Sequence, residues 1–223
     1  MFSDATFDFL GQLATHNDKA WFEQNKSRYE ALVREPALDF IEAIGPLLNA
    51  FAPRFNAIPR KAGGSLMRVY RDTRFSADKT PFKTNIGMHF RHALGKDVHA
   101  PGFYVHIAPD ECFLGAGCWQ PEPDALGKIR DAIAHKPEQW FAARDGLQGT
   151  GWQLWGECLS RPPRGYAADH PAIEDMKRKH FVGLLSLSRA EVMAPDFVEL
   201  AARRMTETAP FMRYLCGALE VQY

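Results

Sequence analysis

The chain has 223 residues, with 27 Lys and Arg against 27 Asp and Glu, a formal net charge of zero, and 46% hydrophobic residues. A chain of this length buries roughly 70% of its unfolded surface in one core, and its balanced composition excludes a disordered or low-complexity chain and an overall basic nucleic-acid binder. The start Met1-Phe2-Ser3-Asp4 lacks a leader's basic and apolar regions, no uncharged run reaches the roughly 20 apolar residues of a bilayer span, and the four cysteines form no C-x-x-C pair, so a soluble cytoplasmic protein with free thiols is expected.

Ser3-Asp4 reads as a helix N-cap ahead of Phe7, Leu10 and Leu13, which fall on one face. Asn17-Asp18 caps a second helix, with a stripe of Trp21, Phe22, Tyr29, Leu32, Val33, Phe40, Ile41, Ile44 and Leu48; Pro36 kinks this helix or starts a new one at its first turn. Pro53 and Pro59 end the segment, and the apolar period then shortens to two. Ser65–Tyr70 predicts a strand, 71–84 a charged loop with one helical turn, Asn85–His92 a strand and Ala93–Pro101 a connecting loop. Gly102–Ala108 and Glu111–Trp119 predict a hairpin closed by the turn Ala108-Pro109-Asp110-Glu111. Pro121-Glu122-Pro123-Asp124 opens a helix carrying Ala125, Ile129 and Ile133, and a short helix is expected at Pro137–Arg144. Residues 145–170 are expected to be irregular, Pro171–Lys179 helical, His180–Ser188 a last strand, and Pro195–Leu219 two helical pieces bent at Pro210. This order predicts an α+β fold in a single domain, 1–223: a curved, mostly antiparallel sheet from the middle of the chain, covered by N- and C-terminal helices.

The neutral total hides an asymmetry. Residues 60–91 carry eight Lys or Arg and two Asp or Glu, a local excess of six positive charges that the rest of the chain balances. Their centre, RVYRDTRFSADKTPFKTNIG from Arg68 to Gly87, resembles the bacterial family called domain of unknown function 2461. The family pattern maps onto Arg68, Arg71-Asp72, Arg74-Phe75, Asp78-Lys79, Pro81-Phe82-Lys83 and Asn85. Phe82 stands where the pattern has Tyr, so a phenolic hydroxyl there is dispensable. Trp21-Phe22, Asn25-Lys26 and the Phe103–Pro121 hairpin are also similar to the family, and the resemblance implies no known activity.

Arginine presents a planar fork of donors and lysine a point charge, both suited to phosphate and carboxylate. Two readings stand for the charged stretch. In one, Arg68, Arg71, Asp72, Arg74, Asp78, Lys79, Lys83 and Asn85 form a basic cleft for an anionic small molecule. In the other, Asp72 and Asp78 brace the arginines in a structural ion-pair lattice whose breakage by Arg71→Ala costs several kcal/mol, and 145–170, with Trp152, Trp155 and Tyr166, is a protein-contact surface. A nucleic-acid reading ranks last, because it wants a broader stripe with stacking aromatics. Alternation in the strands puts Leu66, Arg68 and Tyr70 on one face, away from Met67 and Val69, and Tyr104 and His106 together. Gly115 and Gly117 either leave open floor for a ligand bordered by Tyr104, His106 and Trp119, or admit a helix. Arg178-Lys179-His180 either add to the basic wall or end a helix in solvent. Asp72 and Asp78, beside arginines, are poor general bases, and Cys118 with His106 is a weak nucleophile–base pairing. No nucleotide-binding, hydrolase or metalloprotease motif occurs. No cofactor is expected, and no metal, since His89 and His92 fall on opposite faces of their strand.

Overall fold

The computed structural model describes residues 1–95 and 101–223. Helix α1 (Asp4–Thr15) starts at Ser3, whose N–H donates to Thr6 Oγ1 at 3.2 Å, and it buries Phe7, Phe9, Leu10 and Leu13. Helix α2 (Lys19–Gln24) is capped by Asp18, which accepts from the Trp21 N–H at 2.9 Å. The expected long second helix is broken: α3 (Lys26–Tyr29) is followed by a π-helical turn, Glu30–Arg34, and then by α4 (Glu35–Phe51). Pro36 is the second residue of α4, directly after the π-helical turn, with Arg34 and Glu35 already in helical conformation, so the chain passes through it as helix.

The sheet, six-stranded among the described residues, consists of β1 (Phe55–Asn56), β2 (Ile86–His92), β3 (Gly102–Ile107), β4 (Cys112–Cys118), β5 (Gln153–Trp155) and β6 (Phe181–Leu187). Its order is β1-β2-β3-β4-β6-β5, and every pairing is antiparallel. The fold is thus α+β with a sheet built mainly from the middle of the chain. The β3–β4 hairpin closes as expected, with the Ala108 N–H on the Glu111 carbonyl at 2.9 Å. Of the loop 93–101, residues 96–100 lie outside the described residues.

Downstream come α5 (Pro123–His135), α6 (Pro137–Gly149), α7 (Ile173–Met176), α8 (Arg189–Met193), α9 (Phe197–Glu207) and α10 (Ala209–Ala218). The bend falls at Thr208, just before Pro210, which occupies the first turn of α10. Four expectations need correction. Helix α6 runs past Arg144 to Gly149, because Ala143 and Leu147 continue its buried face. Residues 153–155 form an edge strand on β6. Trp152 is fully buried and the Tyr166 hydroxyl donates to Asp131, so of the three aromatics assigned to a contact surface only Trp155 is exposed. Helix α8 was unanticipated; it begins at a Ser188–Glu191 capping box.

Helices cover one sheet face. Met88, Phe90, Phe103, Val105, Leu114 and Ala116 point to that side and are fully buried against α4, α9 and α10, which contribute Phe40, Ile41, Ile44, Ala201, Met205, Phe211 and Leu215. The opposite face, with His89, Tyr104, His106, Phe113 and Leu184, remains partly open to solvent. No helix among the described residues is long and apolar enough to cross a membrane.

Candidate functional site

The charged stretch forms an irregular antiparallel ladder. Residues 65–71 run against 81–89 through bridges Leu66–Met88 and Tyr70–Phe82, with the Lys83 N–H on the Val69 carbonyl at 2.7 Å and the Arg71 N–H on the Pro81 carbonyl at 2.9 Å. The strand expected at Ser65–Tyr70 is therefore an extended segment, not a strand. It bends at Val69, and the predicted face alternation fails: Leu66 and Val69 are buried, while Met67, Arg68 and Tyr70 are exposed. The helical turn expected within 71–84 is absent.

Two contacts lock the ladder to the helices. Phe82 is buried and stacks on Phe22 with centroids 4.1 Å apart. Asn17, at the turn between α1 and α2, grips the Phe82 backbone on both sides: its amide donates to the Phe82 carbonyl at 2.9 Å, and its oxygen accepts from the Phe82 N–H at 3.0 Å. Asn17 thus imitates one rung of a β-ladder. Its sequence signal, Asn before Asp at a helix start, reads as capping alone, and the 65-residue separation from Phe82 hides the clamp.

Between the ladder and this turn lies a cleft of about 370 Å³ lined by Ala14, Asn17, Arg71, Asp78, Thr80, Lys83 and Asn85 among others. The five cations have divergent roles around it. Arg71 is held by Asp78 and by the Thr80 hydroxyl. Arg74 makes a two-pronged pair with Asp72, at 2.9 and 2.7 Å, on the exposed tip. Lys79 donates to the Thr73 carbonyl at 2.9 Å, also at the tip. Hydrogen bonds from Arg74 hold the Asp72 carboxyl down at about 2, and hydrogen bonds from Arg71 and Thr80 do the same for Asp78. Both carboxylates are therefore ionised near neutral pH and only weakly basic.

Lys83 differs. It is half-buried, and its ammonium has no hydrogen-bond or ion-pair partner among the described residues. Burial pushes its pKa down, and the charge of nearby Arg68 pushes it further. Arg68 is exposed and also lacks a carboxylate hydrogen-bonded to it among the described residues. Among the described residues Lys83 is thus the cation at the cleft with no partner, while Arg68 beside it feels the Asp72 charge.

Asn85 links the cleft to the open sheet face. Its amide lies 3.4 Å from His106 Nδ1, and the Tyr104 hydroxyl lies 3.3 Å from the same nitrogen. The Tyr104 ring reaches this position only because Gly87 is beneath it; a Cβ there would sit 2.6 Å from the hydroxyl oxygen. His106 stacks on Phe113, with centroids at 4.5 Å and 4° between planes, and its Nε2 lies 3.8 Å from Glu111. Burial lowers the His106 pKa, which keeps the imidazole neutral at pH 7, and burial raises that of Tyr104.

Of the predicted site residues, Arg71, Asp78, Lys83 and Asn85 meet at the cleft, with Arg68 beside Lys83 and with Tyr104 and His106 joined through Asn85. Arg74 and Lys79 are held locally at the tip and lie outside the cleft lining, and Asp72 pairs with Arg74 while its charge also acts on Arg68. Trp119 does not border this region. Strand register puts Ile86, Ile107, Cys112 and Leu187 at the loop end of the sheet and Cys118 with Phe181 at the other, so Trp119 and His180, stacked 5.1 Å apart, lie at the far end. Lys179 pairs there with Glu157, away from the basic cleft. Gly115 and Gly117 give neither open floor nor room for a helix. Gly115 faces Tyr104 and Leu184 side chains, and Gly117, at φ 130°, lies against the Phe181 carbonyl. Cys118 is buried on the face opposite His106, with its thiol pKa pushed up by burial, so the two form no catalytic pair. Among the described residues, no group of three or more His, Cys, Asp or Glu side chains could hold a metal; His99 lies outside them.

A profile of the domain of unknown function 2461 family, described as a conserved hypothetical protein, matches residues 5–214, and the chain belongs to that family. No curated protein and no solved structure matches the chain.

Proposed function

We propose that this protein binds an anionic small molecule, bearing a phosphate or carboxylate group, in the cleft beside the 68–85 ladder. One observation carries the reading: Lys83 is half-buried beside Arg68 with no partner among the described residues. Taking a cation out of water next to another cation costs stability, and a bound anion offsets that cost. Lys83 is the direct contact, Arg71 is a guanidinium already oriented by Asp78 and Thr80, Arg68 adds charge from outside the cleft lining, and Asn85 leads toward Tyr104 and His106. The proposal is for binding, with no reaction assigned. The partner is a small molecule and not a nucleic acid, since Phe82 is spent on the core and leaves Phe75 as the aromatic at the tip, without a stacking row. A bacterial, cytoplasmic setting suits four free thiols.

The second reading, an internal brace, draws support from the Arg71–Asp78 and Arg74–Asp72 pairs. It does not account for Lys83. Thermal melting of the wild type and Lys83→Met, with and without phosphate and a panel of phosphorylated and carboxylic metabolites, separates the two. Binding at 100 times the dissociation constant adds about 2.7 kcal/mol, which at this size raises the wild-type midpoint by roughly 5–10 °C. Lys83→Met should melt at or above the wild type when free and show no shift. An unmoved wild type together with a free Lys83→Met variant that melts well below it would overturn the binding reading.

A further inference from the structure

We infer that Lys83 is a nucleophilic amine that forms an imine with a carbonyl compound bearing an acid group, such as an oxo acid. The step takes place in the proposed anion cleft and rests on the reading that this cleft holds an anion.

The fold sets up the amine in three ways. Lys83 lines the cleft, and its backbone is pinned: its N–H donates to the Val69 carbonyl at 2.7 Å, and Asn17 clamps the adjacent Phe82. Its side chain has no partner among the described residues, because Asp78, the carboxylate in the cleft lining, is taken up by Arg71 and by the Thr80 N–H at 2.9 Å. Its Nζ is not sealed off, unlike the orphaned indole nitrogens of Trp140 and Trp152, so a solute can reach it. A lysine attacks carbon through its neutral amine, and a partly dehydrated site without a counter-ion favours that form. Burial, and then the charge of Arg68 from outside the lining, push the Lys83 pKa down, in the same direction.

Arg71 supplies the place for the acid group. Its Nη1 is spent on Asp78 and the Thr80 hydroxyl, while its Nε and Nη2 have no partner among the described residues. Those two nitrogens form one side of the guanidinium fork, which takes a carboxylate or phosphate through two parallel hydrogen bonds. The Thr84 hydroxyl, also in the lining and without a hydrogen-bond partner among the described residues, can donate to the carbonyl oxygen. In the step itself the Nζ lone pair forms the new bond to carbon, both amine protons leave with the carbonyl oxygen as water, and a C=N bond remains; nothing is oxidised or reduced.

Wild-type protein is labelled at pH 7 with glyoxylate or with acetaldehyde, each with cyanoborohydride, which reduces any imine to a stable secondary amine. Peptide mass mapping gives the rate at every lysine separately, so the main readout needs no variant. Glyoxylate should label Lys83 at least about tenfold faster than the exposed Lys19, Lys26 and Lys61, and the glyoxylate-to-acetaldehyde ratio should be higher at Lys83 than at these three. Arg71→Lys, which keeps the charge and loses the fork, should lower that ratio at Lys83 by at least about threefold. Lys83 labelled no faster than the exposed lysines by either aldehyde would overturn the imine. If phosphate still raises the wild-type melting midpoint in that case, the anion site stands; if it does not, both fall. Fast labelling of Lys83 at the ratio seen for the exposed lysines would overturn the requirement for an acid group, and an unchanged ratio in Arg71→Lys would overturn Arg71 as its holder.

Discussion

Replacing Asn17 by alanine should unfasten the candidate site without touching a charge. The wild-type side chain makes two hydrogen bonds to the Phe82 backbone, at 2.9 and 3.0 Å, and Phe82 is 2% exposed. Each hydrogen bond contributes about 1 kcal/mol net, and a buried backbone group left unpaired costs about 1–3 kcal/mol. With partial access of water to the vacated space, Asn17→Ala should lose about 2–4 kcal/mol, or roughly 4–16 °C in the melting midpoint at this chain length. The assay is urea unfolding followed by tryptophan fluorescence: the midpoint should fall with the slope m unchanged, because the loss is of stability and not of buried surface. Asn17→Asp provides the internal control. Its carboxylate still accepts from the Phe82 N–H but sets an oxygen against the Phe82 carbonyl, so it should be destabilised through one contact while the other persists. Because Asn17 also lines the cleft, any phosphate-induced stabilisation should shrink in Asn17→Ala. An Asn17→Ala midpoint indistinguishable from the wild type would refute the clamp and, with it, the account of how the ladder is held against the helices.

Two further predictions follow from the electrostatics. The Arg71–Asp78 pair is not deeply buried, with Asp78 55% exposed, so Arg71→Ala should cost about 1 kcal/mol by equilibrium unfolding, not the several expected from the sequence for a buried brace; a loss above about 3 kcal/mol would restore the brace. Burial, with the Arg91 charge adding to it, holds His89 down at about 4, and Arg91 Nε–H donates to its Nδ1 at 3.2 Å; across the sheet its ring neighbour is Tyr104. Between pH 4 and 6.5 the unfolded chain binds a proton at this position that the folded chain does not, so stability rises with pH across that window and is lost as pH falls. The wild type should gain at most about 3 kcal/mol across it through this histidine, and melting of His89→Gln should show a flatter pH dependence; parallel curves would place the proton elsewhere.

Much of the architecture was legible because it rests on local chemistry. Capping at Ser3 and Asp18, the Pro-Asp-Glu turn between β3 and β4, and two-residue alternation in β2 and β3 act over a few residues, so they survive reading in one dimension. That the charged stretch is the place to look was also legible, because five cations within eighteen positions need an account in any fold. What each cation does was not. Asp72 and Asp78 were visible as compensating charges, but only the bend at Val69 and the bridge from Tyr70 to Phe82 decide that they satisfy Arg74 and Arg71 and leave Lys83 without a partner among the described residues. The same holds for the aromatics. Phe82 appeared as one of two loop aromatics, yet stacking on Phe22 and the Asn17 grip turn it into core. Trp119, grouped with Tyr104 and His106 by strand parity, ends at the far side of the sheet, because parity sets the face and only register sets the distance along it. Charge, caps and turns are properties of neighbours in sequence; whether a lysine has a partner depends on residues dozens of positions away, and only the folded chain brings them together.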